Sequence, residues 1–227
     1  MRCLKAVVAF FTALPVGGAE LDFSCIWATP YLAGLMVGGA GGAVYFLTHS
    51  PAAAYAALLL ATGLHHLDGL ADVGDALMVR DRERARRVLE DPRRGVGGIF
   101  AVVALFVLAA SARPESWLDY IVTDLYSKAL ALVVAAYSKP FKEGLGSLFI
   151  VSAKRQWPAA LPALAVAAWL HPAAFLAATV LSLFFYVAAY KHLGGANGDL
   201  LGALLEVTRA LYLATVDLST SLINGLF

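Results

Sequence analysis

The sequence predicts an all-α, polytopic membrane helix bundle of six or seven transmembrane helices with its active site on the cytoplasmic side, and three observations predict it. Of the 227 residues, 60% are hydrophobic and 15% charged. A soluble domain carries about 45–50% apolar and about 25% charged residues. Mean hydropathy is +0.74. The apolar residues fall in long runs, without the ten-residue alternation of a membrane barrel. A water-soluble globule of this composition would expose large apolar patches. This excludes an ordinary soluble enzyme, a disordered chain and a nucleic-acid-binding domain.

The whole chain, 1–227, reads as a single integral membrane domain. Residues 1–15 carry Arg2 and Lys5 before a short apolar run. Gly17-Gly18-Ala19-Glu20 is a poor cleavage site, so a retained amphipathic or re-entrant segment is expected rather than a signal peptide. Spanning a hydrocarbon core of about 30 Å takes roughly 20 helical residues. The candidate spans are 28–48, 51–64, 97–112, 118–137, 158–170, 172–190 and 200–227. The second and fifth are short for full crossings. The last is interrupted by Glu206, Arg209 and Asp217. Gly34, Gly38, Gly39, Gly41 and Gly42 in the first span point to close helix packing. Cys3 and Cys25 make no CxxC pair and no disulfide framework, so no thiol chemistry is expected.

The net charge of +1 is uninformative, but its distribution is not. With a cytoplasmic N-terminus, the inside segments 1–27, 65–96, 138–157 and 191–199 hold fourteen of the seventeen Lys and Arg. The outside turns hold one, Arg113, and Lys128 and Arg209 lie within spans. That asymmetry orients the chain. The outside connections are too short to form a binding domain, so the chemistry is placed on the inner face or within the bundle.

Asp68, Asp72 and Asp75 are spaced i, i+4, i+7 and share one helix face. Three carboxylates on one face repel each other, and a divalent cation relieves that repulsion. Oxygen-only ligands suit Mg²⁺ or Mn²⁺ rather than zinc. Asp199 and Glu206 form a second pair seven residues apart, with Gly202 between them and a Gly-rich run before. Together the two stretches suggest a two-part acidic metal site, suited to a diphosphate. His65 and His66 are candidate metal ligands, or one of them orients a carboxylate or a phosphate and the other is incidental. Asp75 or Glu206 is the candidate general base.

The arginines at 82, 84, 86 and 87 are read as topology signals attracted to anionic lipid. Arg93 and Arg94, followed by Gly95, Gly97 and Gly98 at a helix start, read as a phosphate cradle. Lys128 follows Asp124 by one turn, so it either pairs with that carboxylate or reaches toward substrate. Lys142 either contacts a nucleotide or anchors a helix end.

These segments together resemble the adenosylcobinamide-GDP ribazoletransferase family, also called cobalamin (5′-phosphate) synthase. The carrying residues are Phe11-Thr12-Ala13-Leu14-Pro15, the block from His66 through Asp75, Arg82-x-Arg84 leading to Glu90-Asp91-Pro92-Arg93-Arg94-Gly95-Val96-Gly97-Gly98, Lys142-Glu143-Gly144-Leu145-Gly146, and Gly198-Asp199-Leu200-Leu201-Gly202-Ala203. They run in family order along nearly the whole chain. The chain departs from the family pattern at Ala76, in the loop before the third span, and at Lys128. The resemblance implies joining adenosylcobinamide-GDP to α-ribazole or its 5′-phosphate, with release of GMP and a requirement for Mg²⁺. It implies a multi-pass protein of the cell membrane. Asp68, Asp72, Asp75 and Asp199 are then expected to hold the metal. His66, Arg93, Arg94, Lys128 and Lys142 are expected to meet substrate phosphate. The bilayer is the expected surrounding, and a homo-oligomer is compatible with the sequence.

Two other classes stand beside this reading. One is a different membrane phosphotransferase acting on nucleotide-alcohols of the CDP-alcohol type, whose Asp-Gly-x-x-Ala-Arg pattern is here broken by Ala71-Asp72. The other is a divalent-cation transporter, since intramembrane acids mark ion paths too.

Overall fold

The computed structural model describes residues 2–16 and 22–224. The expected cleavage-site stretch at 17–20 and the last three residues of the last candidate span lie outside the described residues. Among those described, the regular structure is helical, with one isolated bridge between Pro140 and Ala196 and no β-strand.

Helix α1, Arg2–Phe11, buries Ala6, Val7, Val8 and Phe11 on one face, as the amphipathic reading requires. A 3₁₀ segment, Phe23–Ala28, starts where the Asp22 carboxylate accepts the Ser24 N–H at 2.9 Å. It runs into α2, Thr29–Thr48, which has Pro30 in its first turn. The Ser50 hydroxyl caps α3, Pro51–Ala61. Gly63 and Leu64 then turn the chain through positive φ into α4, His65–Leu77. Helices α5, Arg82–Val88, and α6, Val96–Ala110, follow. Next come α7, Leu118–Ala136, and α8, Leu145–Gln156. A 3₁₀ turn at Trp157–Ala160 leads into α9, Leu161–Leu170, and then α10, Pro172–Leu193, and α11, Gly198–Asn224.

Among the described residues, each of the seven segments expected as spans is largely helical. Two stretches, Phe23–Thr48 and Pro172–Leu193, are by themselves long and apolar enough to cross a membrane. Helix α3 has 11 residues, roughly 16 Å at 1.5 Å per residue. The outward faces carry large apolar side chains: Phe46 on α2, Phe100 on α6, Trp169 on α9 and Phe184 on α10 are all more than 60% exposed.

Helix α11 is the central post, packed against α4, α6, α7 and α10. Its Leu200, Leu204, Tyr212 and Leu213 are fully buried. Helix α2 lies on α7 through the glycine stripe. A Cβ at position 38 would stand 2.7 Å from the Ile121 Cα, and one at position 42 would stand 2.6 Å from the Trp117 carbonyl oxygen. Backbone-to-backbone contact of this kind is what small residues allow in an apolar bundle.

The cysteine expectation is corrected. Cys3 on α1 and Cys25 in the 3₁₀ segment are joined by a disulfide, with Cα atoms 5.5 Å apart. Two cysteines 22 residues apart carry no spacing signature. Their pairing follows from α1 folding back on the segment that precedes α2, with Phe10 edge-on to Phe23 at 5.7 Å.

Candidate active site

The two acidic stretches meet at one end of the bundle. Helices α4 and α11 touch there by backbone. A Cβ on Gly69 would lie 2.9 Å from the Asp199 Cα, and one on Gly202 would lie 3.3 Å from the His66 Cα. Asp68 and Asp72 are thereby set beside Asp199 across the helix pair.

Arg94 crosses from the loop before α6 to both carboxylates of α4. Its Nη1 donates to Asp72 at 2.6 Å and its Nη2 donates to Asp68. Burial pushes the Asp72 carboxyl up to about 6, helped by the charges of Asp68, Asp199 and Asp75 and opposed by Arg94. Asp199 is also raised by burial, although Asn197 holds it with a 2.6 Å hydrogen bond that favours the charged form. Two carboxylates therefore share one guanidinium with Asp75 and Asp199 close by, an excess of negative charge that favours a bound cation.

Asp75 has a different partner. Its two oxygens accept the Gly95 N–H at 2.7 Å and the Gly98 N–H at 2.8 Å, at the start of α6. The anion held at that helix N-terminus is this side chain. The glycines are needed for contact: a Cβ at position 98 would sit 2.6 Å from the Ala71 carbonyl oxygen, and one at 97 would sit 2.6 Å from that of Gly74.

The remaining expected residues lie elsewhere. Arg93 is exposed and bonds Asp91, whose carboxyl it lowers to about 2. Lys142 pairs with Glu90 at 3.0 Å on the surface. Glu206 and Lys128 belong to a fully buried network beneath the acidic end. There Asp124 accepts from Lys128 and from Arg209, whose Nε stands at 2.6 Å, and Glu206 accepts from Arg209 and from the Tyr55 hydroxyl at 3.2 Å. Of the two options for Lys128, the structure shows the pair with Asp124. His66 is buried, with its Nδ1 3.8 Å from Glu206 and without a hydrogen-bond partner. Sequence reasoning missed Asn197, Tyr55 and the full reach of Arg209.

The arginines of α5 have a structural task that the lipid reading did not foresee. Arg82 donates to the carbonyls of Lys191 and His192, and Arg86 to that of Leu193 at 2.7 Å. Both satisfy the C-terminal carbonyls of α10 and complement its dipole.

Two cavities flank the acids. One of 420 Å³, partly open, lies between α1, α4, α8 and α11, touches Lys128 of α7, and reaches Asp199 and His66. A second, of 320 Å³ and more open, lies between α4 and α6 and reaches Asp68 and Arg94.

Among the described residues, no three His, Cys, Asp or Glu side chains are gathered tightly enough to form a ready-made metal cage. The donor set is nonetheless all carboxylate oxygen with one arginine between, and it fits a hard cation such as Mg²⁺.

Comparison with known proteins gives a consistent family. The family model of cobalamin-5-phosphate synthase matches residues 3–216. A protein of Pyrobaculum calidifontis named adenosylcobinamide-GDP ribazoletransferase is 59% identical, covering 95% of this chain and 99% of that protein. A protein of the same name from Pyrobaculum aerophilum is also 59% identical, covering 93% of this chain and 94% of that protein. One of that name from Thermococcus gammatolerans is 36% identical, over 91% of this chain and 94% of its own. No solved structure matches the chain.

Proposed function

The chain belongs to the cobalamin-5-phosphate synthase family, and on that premise we propose that it is an adenosylcobinamide-GDP ribazoletransferase, the transferase of the nucleotide-loop assembly step of cobalamin biosynthesis. The observation that carries this reading to the residues is the backbone contact of Gly69 with Asp199, which sets two acidic helix starts together beside Arg94.

In the reaction, a hydroxyl of α-ribazole, or of its 5′-phosphate, attacks the phosphorus on the cobinamide side of the diphosphate. A new P–O bond forms, the bond from that phosphorus to the bridging oxygen breaks, and GMP leaves with the electron pair. Asp68, Asp72 and Asp199, with Asp75 at the edge, would hold magnesium. Bound magnesium would supply charge neutralisation for the diphosphate and the leaving phosphate. Arg94 stands where it can exchange a carboxylate for a phosphate oxygen. Lys142, whose charge also reaches Asp199, would meet the nucleotide, and Arg93 would do so on leaving Asp91. The hydroxyl proton goes to a carboxylate, and Asp75 serves this role better than Glu206, which lies beneath the acidic end in the ion-paired core. His66 sits behind Asp199 and orients the acceptor.

The same reading places the chain in the cell membrane as one multi-pass domain, with six or seven crossings. The apolar outward faces of α2, α6, α9 and α10 support it, as do charges that are buried only in pairs. The acidic end is then cytoplasmic, the side that carries the arginine-rich α5.

Purified protein in detergent, given Mg²⁺, adenosylcobinamide-GDP and α-ribazole, is expected to release GMP in step with a cobalamin product. Absence of GMP release under these conditions counts against the assignment.

A further inference from the structure

We infer that the 420 Å³ cavity is the acceptor subsite, where the aromatic base of the ribazole packs against Phe10, Phe11 and Phe149 with its ribose toward Asp199. The inference rests on the transferase reading and adds to it which wall binds which substrate.

One wall of the cavity is aromatic. Phe10 and Phe11 come from α1 and Phe149 from α8. Ring centroids are 5.0 Å apart for Phe10–Phe11, 5.9 Å for Phe11–Phe149 and 5.9 Å for Phe11–His66. These are separations at which aromatic rings attract each other, and a further ring placed among them makes the same offset or edge contacts.

Two polar atoms in the wall lack partners. The Thr29 hydroxyl and the His66 Nδ1 are buried without a hydrogen bond, in side chains of residues only 2% and 8% exposed. A buried orphan polar atom costs about 1–3 kcal/mol, so such atoms mark where a ligand supplies the missing bond. The base of ribazole offers one ring nitrogen as acceptor and is otherwise apolar, which suits these walls. The corrin macrocycle, with its amide side chains, is far larger than this cavity.

The placement also satisfies the chemistry. Gly198 and Asp199 form the polar end of the cavity. A base held among the phenylalanines therefore directs its sugar hydroxyls to the carboxylates. The second cavity, beside Asp68 and Arg94, is more open, so a donor there need seat only its diphosphate against Arg94 while its larger parts stay outside.

The test is equilibrium dialysis of radiolabelled α-ribazole against the detergent-solubilised protein, with no nucleotide donor present. Wild type is expected to bind. Phe149→Trp, which fills the cavity, and Thr29→Val, which removes the hydroxyl at nearly constant shape, are each expected to weaken binding by about tenfold, or 1.4 kcal/mol. The KM for adenosylcobinamide-GDP is expected to stay within about twofold in both. Should Phe149→Trp lose its helical far-UV signal, Thr29→Val decides alone. Equal ribazole binding by wild type and variants, no binding by wild type, or a variant that loses the donor but keeps ribazole each overturns the assignment. Ribazole binding without GMP release by wild type contradicts the transferase reading and leaves the cavity assignment intact.

Discussion

Gly69 meets Asp199 with no room for a side chain: a Cβ at position 69 would lie 2.9 Å from both the Cα and the carbonyl oxygen of Asp199. Helical propensity alone makes Gly69→Ala stabilising by about 1 kcal/mol in a helix interior. The contact reverses that sign, because the obstacle is backbone and cannot swing aside. We expect Gly69→Ala to lower the thermal midpoint and to cut kcat by about 100-fold, the scale of a displacement near 1 Å at a reacting centre. GMP release and thermal unfolding in detergent check both. A variant with wild-type kcat would show that α4 and α11 need not meet for turnover.

Asp72 sits where the acids crowd, with burial and three neighbouring carboxylates raising its pKa against Arg94. Asp72→Asn keeps the shape and removes one charge and one oxygen of the proposed metal site. Turnover is expected to fall on the order of 100-fold or more, while helicity and thermal midpoint stay near wild type. Treating wild type with EDTA is expected to abolish GMP release, and added Mg²⁺ to restore it. Near-normal activity of Asp72→Asn across a range of Mg²⁺ concentrations would falsify the metal assignment.

The acidic face of α4 was readable in the sequence because i, i+4, i+7 spacing has one meaning on a helix, and the carboxylates are found together as that spacing requires. The glycines of α2 were readable for a similar reason, since a stripe of small residues has few uses other than close packing. What the sequence hid were contacts between distant positions. Arg94 reaches Asp68 across 26 residues, and Arg209 reaches Asp124 across 85. Nothing in the local pattern says which carboxylate an arginine will find. Glu206 matched the Asp199 spacing, yet two helical turns carry it down the axis from the acidic end into the core. Asp75 shared a face with Asp72 but was taken by the amides of Gly95 and Gly98, a choice set by where α6 begins.

The buried network makes a double-mutant cycle informative. Lys128 has its ion pair with Asp124, and both side chains are fully buried. Asp124→Leu leaves Lys128 without that partner, and breaking a buried pair from one side costs about 3–5 kcal/mol. Asp124→Leu with Lys128→Met removes one charge of each sign and leaves the Arg209–Glu206 pair in place. The double variant is therefore expected to recover the part of the loss that comes from stranding Lys128, while the part from the lost Arg209–Asp124 bond remains. Thermal unfolding of the four proteins gives the coupling energy. A double variant no more stable than Asp124→Leu contradicts the account of Lys128 as chiefly a structural counter-ion.

The disulfide joins the cavity to the stability of the N-terminal helix. Cys3–Cys25 closes a loop with a sequence separation of 22 residues, and loop-closure entropy then favours the folded chain by about 3 kcal/mol. Helix α1 carries Phe10 and Phe11, two of the aromatic walls, and Phe10 also packs on Phe23 beside the bridge. Reduction frees α1 to lift away at one end, so the phenylalanines lose their fixed spacing before the rest of the bundle changes. We expect dithiothreitol to lower the thermal midpoint of wild type and to weaken α-ribazole binding several-fold, with the KM for the donor nearly unchanged. The Cys3→Ser, Cys25→Ser double variant is expected to match reduced wild type and to be indifferent to reductant. If oxidised and reduced wild type unfold at the same temperature and bind ribazole alike, the bridge does not hold the aromatic wall, and packing of Val7, Val8 and Phe11 alone keeps α1 in place.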